Sequence, residues 1–156
     1  MRRILGVTPE EHRALGVELY NGTWALIERE DRTPDEDDEM LHRAHASAYH
    51  WLQAPHTAAN RARSHWLCSH VYAVLGRPEP ALHHGERCLA LVEGSPQEMA
   101  DFDLPAAYEA LARAHSAAGR SDEARRFLEL AQVEAAKIAD AEDREHFESQ
   151  LASIVT

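Results

Sequence analysis

Apolar positions in this chain recur three and four residues apart rather than in alternation. Leu15, Leu19, Trp24 and Ile27 form one stripe, and Leu41, His45, Ala48 and Leu52 a second. Leu67, Val71, Val74 and Leu75 follow, then Leu82, Leu89 and Leu91. The last third carries Leu111, Ala114 and Ala118, then Phe127, Leu130 and Val133, then Phe147, Leu151 and Ile154. A helix of 3.6 residues per turn gathers such positions on one face, whereas a half-buried strand would alternate with period two. No stretch alternates long enough to predict a strand.

Helix starts are marked by a repeated formula: a hydroxyl residue, a proline, then acids. It occurs as Thr8-Pro9-Glu10-Glu11, Thr33-Pro34-Asp35-Glu36 and Ser95-Pro96-Gln97-Glu98. The hydroxyl accepts from an orphan backbone N–H, the proline lacks the donor that would go unsatisfied, and the acids favour the positive helix end. Ser121 after Gly119-Arg120 and Thr57 after Pro55 offer two more starts, and Gly76 with Pro78 marks a break. The pattern predicts seven helices near 9–30, 35–53, 57–75, 78–93, 97–118, 121–139 and 141–153. Short connections imply antiparallel neighbours.

Shifting the chain by 43 residues aligns Val71–Ala81 with Ala114–Ala124. Gly76-Arg77 then falls on Gly119-Arg120, and Ala81, five residues after its glycine, falls on Ala124. A glycine followed five residues later by alanine, between two amphipathic helices, resembles the tetratricopeptide repeat. The resemblance covers about residues 57–139. Tyr108, Leu111, Ala112 and Ala131 match the family pattern in the second copy, and Tyr72 matches in the first. The first copy departs from it at His65, Cys68, Ser69, Gly85 and Cys88, and neither copy has the closing proline, the positions being Glu93 and Ala136. The resemblance implies an all-α fold in which antiparallel helix pairs stack as a short right-handed array. Residues 1–156 would then form one domain, with 8–53 as a diverged first pair and 141–153 as a capping helix. A helical bundle of no repeat family, in which the Gly-Arg coincidence is chance, is the alternative.

Composition narrows the function. The chain is 44% hydrophobic and 28% charged, too apolar for a disordered protein. Its formal net charge of -11 opposes binding to a phosphate backbone, so nucleic acid is not expected as a partner. No run approaches the ~18 apolar residues of a membrane helix, and Met1 to Val7 is too short for an export leader. The expectation is a cytoplasmic protein. Cys68 and Cys88 sit in apolar helical patterns and form no CxxC pair, which predicts reduced core residues.

Candidate chemistry is sparse. There is no GxSxG elbow and no glycine-rich phosphate loop, so nothing nominates an enzyme and no cofactor is expected. The repeat register predicts a protein- or peptide-binding scaffold whose inner groove is lined by the first helix of each pair. Arg63, Trp66 and His70 from one helix, with Glu109 and Arg113 from the next, would face it. Guanidinium groups there suit carboxylates. Glu109 and Arg113, four residues apart, could equally pair on the surface. The open end faces of a short stack predict self-association, unless the last helix covers one.

The competing reading is a metal or small-molecule site in residues 38–84. Eight of the eleven histidines fall between His42 and His84. Asp38, His42 and His45 share one helical face, and a second helix carrying His65 or His70 could complete a ligand set. His45 also fits the apolar stripe as a core residue. The acidic run from Glu28 to Glu39 reads as a solvated turn before the next helix, or as a docking patch for a basic partner. The tryptophans and tyrosines read as core, and any that are exposed become interface candidates.

Overall fold

The computed structural model describes residues 6–156; residues 1–5, on which most of the export-leader reading falls, lie outside the described residues. The described chain is all-helical: α1 (Pro9–Ile27), α2 (Pro34–Gln53), α3 (Ala58–Val74), α4 (Pro78–Gly94), α5 (Asp103–Ala117), α6 (Ser121–Ala135) and α7 (Ala141–Ala152). Thr8, Thr33 and Thr57 cap the first three, each side chain accepting from a backbone N–H three residues on, with Glu11, Glu36 and Asn60 reaching back. This is the capping box, and it satisfies two orphan donors reciprocally at each start.

One start differs from expectation, and at another the capping residue does. Ser95-Pro96 opens only a 3-10 turn, Pro96–Glu98, and α5 begins at Asp103. A helix from residue 97 would bury Pro105 in its interior, where the ring clashes with the carbonyl four residues back. Starting at Asp103 puts Pro105 in the first turn, where its missing N–H costs nothing. Ser121 is the first residue of α6 rather than its cap, because Gly119 and Arg120 complete the preceding turn.

The two Gly-Arg turns share one geometry. Gly76 and Gly119 adopt φ of 69° and 73°. Their N–H groups donate to Ala73 and Ser116, and those of Arg77 and Arg120 donate to Tyr72 and His115. That is the Schellman pattern, which satisfies the last helical carbonyls and requires a left-handed residue. A Cβ at either glycine would meet nothing within 4 Å, so only backbone strain opposes substitution. Gly76→Ala and Gly119→Ala should each lower stability by about 1 kcal/mol, and add in the double variant, as read by urea denaturation. A loss within error of zero would show that the turns tolerate another geometry.

Helices pack in consecutive pairs, α1 with α2, α3 with α4 and α5 with α6; α3 also meets α2 and α5, and α4 meets α5. His12 near the start of α1 reaches His50 near the end of α2, and Ala112 of α5 packs with Ala131 of α6, so partners run antiparallel. Ala81 and Ala124, each five residues after its turn glycine, are fully buried. A methyl side chain there lets the second helix lie close on the first, and Ser69 Oγ donates to the Ala81 carbonyl across that contact at 2.8 Å. Layers of core join the pairs: Met40, Ala44, Leu67, Cys68 and Val71 at one contact, Ala62, Cys88, Val92 and Ala107 at the next. Leu151 and Ile154 close the far end against Ala112, Ala131 and Ala135, so α7 covers that face.

Part of the apolar pattern stays outside. Leu15, Leu52, Val74, Leu130 and Val133 are exposed. Helix α6 buries Ala124, Ala131 and Ala135, and that alanine face sets its rotation, turning Val133 to solvent. No helix among the described residues is long and apolar enough to cross a membrane.

Candidate functional site

The first helices of successive pairs line one face. Trp24 of α1 lies against Trp66 of α3, ring centroids 5.6 Å apart, and both rings contact His70. Beside them is a cavity of about 190 Å³, walled by Tyr20, Trp24, Trp66, Phe102 and Phe147, with Arg63, Asp103 and Glu109 among its polar groups. Burial pushes the Tyr20 phenol well above its ordinary value, so it stays neutral.

Two ion pairs stiffen this face. Arg63 forms a bidentate pair with Asp103, at 2.9 and 2.8 Å, and Asp103 also accepts from the Ala100 N–H. The Arg63 guanidinium lies over the Phe102 ring, 4.9 Å from its centroid. Glu109, 1% exposed, accepts from Trp66 Nε1 at 2.9 Å and from Arg113 Nε and Nη2 at 3.2 and 2.9 Å. The Glu109–Arg113 pair is therefore no surface pair; Arg113 also donates to the Gln150 carbonyl of α7. A carboxylate this deep is tolerated because several donors surround it, including a guanidinium.

The structure thus gathers Arg63, Trp66, His70, Glu109 and Arg113 on one face, with the two guanidiniums engaged by the chain's own carboxylates. His70 Nδ1 lies 3.8 Å from Glu109 Oε1 and has no hydrogen-bond partner among the described residues. Burial first, and the Arg113 charge second, push its imidazole down to about 3. Glu109 already has a cation in Arg113, so His70 remains neutral rather than completing an ion pair.

A second cluster lies where α2, α3 and α4 meet. His45, Cys68 and His84 each offer a ligand atom within 4.8 Å of the others. His45 Nδ1 is 3.8 Å from Cys68 Sγ, and its Nε2 is 2.8 Å from the Tyr72 hydroxyl. His65 Nδ1 is 2.9 Å from His84 Nδ1. Burial pushes the Cys68 thiol up to about 12, and burial together with nearby charges pushes His65 and His84 down to about 4. Asp38 and His42 remain exposed, and His45 turns to α3 and α4 instead of joining them.

Cys68 and His84 were not paired by sequence reasoning, though a signal was present. Each stands eight residues from Gly76, and an antiparallel pair brings residues equidistant from its turn to the same level. His65 adds to this by preceding Cys68 by one turn on α3. The acidic run caps α2 and is clasped by Arg29 to Glu36 and Arg32 to Asp37, both at 2.7 Å. No family model, no curated protein and no solved structure matches the chain.

Proposed function

We propose that this chain is a tetratricopeptide-repeat-like binding module that holds a peptide segment by one large apolar side chain. The observation that carries this reading is the aromatic-walled cavity on the face lined by α1, α3 and α5, with α7 beside it. Its volume of about 190 Å³ suits one side chain better than a cofactor or drug-sized ligand, which typically needs ~300 Å³ or more. Its charged groups are paired within the chain, so the ligand is recognised chiefly by desolvation of aromatic surface. The net charge of -11 selects basic residues flanking the anchor and speeds their encounter. The equivalent Schellman turns and the buried Ala81 and Ala124 favour the repeat relationship over an unrelated bundle.

Trp66 and Arg113 both hold Glu109, so replacing either disturbs the fold along with the groove. Ala106→Trp fills the cavity from α5 without touching those bonds. Peptides selected by display on the wild-type chain should carry an aromatic or branched anchor among basic residues. The variant should bind them at least ~10-fold more weakly while melting normally. Equal affinity for wild type and Ala106→Trp would overturn the assignment.

A further inference from the structure

We propose that His45, Cys68 and His84 form a binding site for one zinc(II) ion, with a fourth coordination position open to the adjoining cavity. It is separate from the groove: α3 turns Arg63, Trp66 and His70 to one side, and His65 and Cys68 to the other.

Donor chemistry selects the class of ion. One thiolate with two imidazoles suits a borderline or soft d-block cation and not magnesium or calcium, which take oxygen ligands. The spacing suits zinc as well. With Zn–N near 2.0 Å and Zn–S near 2.3 Å, a tetrahedral N–S edge is about 3.5 Å. The His45 Nδ1 to Cys68 Sγ distance is 3.8 Å, so a shift of a few tenths of an ångström closes that edge. The His84 ligand atom, within 4.8 Å of both, closes the others by a side-chain movement of about 1 Å.

The surroundings orient the ligands. Tyr72 holds His45 Nε2, which leaves Nδ1 as the nitrogen turned to Cys68. The Tyr72 ring also stacks on His84, 9° from parallel, so one tyrosine fixes two of the three ligands. His65 contacts His84 from the opposite helix and acts as a positioning residue. Metal-binding histidines normally have such a partner on the second nitrogen. A cavity of about 140 Å³ bordered by His45, Cys68 and His84 gives the ion a path in and leaves room for a water. Binding displaces the Cys68 thiol proton to solvent and forms a zinc–thiolate bond, with both imidazoles entering neutral and no change of oxidation state.

The test uses full-length chain without a histidine tag, stripped with chelator and then titrated with zinc(II), and separately with cobalt(II) as a spectroscopic probe. One zinc per chain should bind with a Kd below about 1 µM, and cobalt should give a near-ultraviolet thiolate charge-transfer band. Cys68→Ala should remove that band, and His45→Ala and His84→Ala should each cost more affinity than His65→Gln or Tyr72→Phe. Those two should lose roughly 10- to 100-fold. Cys88→Ala should change nothing. His45 and His84 are not fully buried, so their variants test the site even where Cys68→Ala fails to fold. Zinc binding that survives intact in folded His45→Ala and His84→Ala would overturn the proposal. So would no zinc bound at tens of micromolar.

Discussion

Glu109→Leu should be among the most destabilising single substitutions in this protein. It removes the carboxylate that holds Arg113 and Trp66, leaving a guanidinium only 17% exposed and an indole N–H without their acceptor. Breaking a buried pair by deleting one partner costs about 3–5 kcal/mol, far more than a surface pair contributes. At ~2–4 °C per kcal/mol for a chain of this size, the melting temperature should fall by roughly 6–20 °C. Arg113 also ties α5 to α7 through the Gln150 carbonyl, so the far-end core should loosen with it. Replacing both partners, Glu109→Leu with Arg113→Met, should recover most of the loss, since no uncompensated charge remains. Urea denaturation by circular dichroism reads both variants. A single-variant loss below ~1 kcal/mol would show that water reaches this pair freely.

Acidification should unfold the protein well before its carboxylates are fully protonated, and His70 should be the leading cause. Its imidazole titrates near 3 in the folded chain against 6.5 when exposed, because burial and Arg113 oppose the charged form. Above pH 6.5 both states hold it neutral and its contribution is complete. Below that, the unfolded chain takes up a proton that the folded chain refuses until about pH 3, so stability falls with pH across that window. The slope is about 1.4 kcal/mol per pH unit, or roughly 2 kcal/mol by pH 5. His65 and His84 shift in the same direction, with a smaller effect because water screens half-exposed groups. Urea midpoints at pH 7.5, 6 and 5 should decline steadily. His70→Phe, which keeps an aromatic ring against Trp24 and Trp66, should flatten that decline by about one proton. A wild-type midpoint unchanged between pH 7.5 and 5 would place a compensating group beside His70.

Local chemistry explains why so much of the fold is legible in the sequence. Thr8, Thr33 and Thr57 act on backbone N–H groups three residues away, and Gly76 and Gly119 act on the turn they occupy. Such effects depend little on what the helix later meets. The start of α5 departs from the local pattern because Ser95-Pro96-Gln97-Glu98 satisfies the same capping rule, while the opposing signal, Pro105, lies beyond that first turn. That Trp66 and Glu109 stand on neighbouring first helices follows from the register of the two Gly-Arg turns. That Arg63 and Arg113 are engaged by Asp103 and Glu109 could not.

Helix number, most helix starts and the two Gly-Arg turns were determined by the sequence itself, because capping, left-handed backbone and proline sterics operate within about one turn of chain. Tertiary structure decided the rest. A glutamate four residues before an arginine reads the same whether its face meets water or protein; α3 and α7 make the Glu109 pair buried. An apolar stripe reads the same whichever flank is covered, and Ala124, Ala131 and Ala135 choose the flank of α6. His45, Cys68 and His84 lie 23 and 16 residues apart in sequence, and only the stacking of α2, α3 and α4 makes them neighbours. Contacts of that kind depend on how far each helix rotates about its axis, which is fixed by close packing against its neighbours rather than by any residue within it.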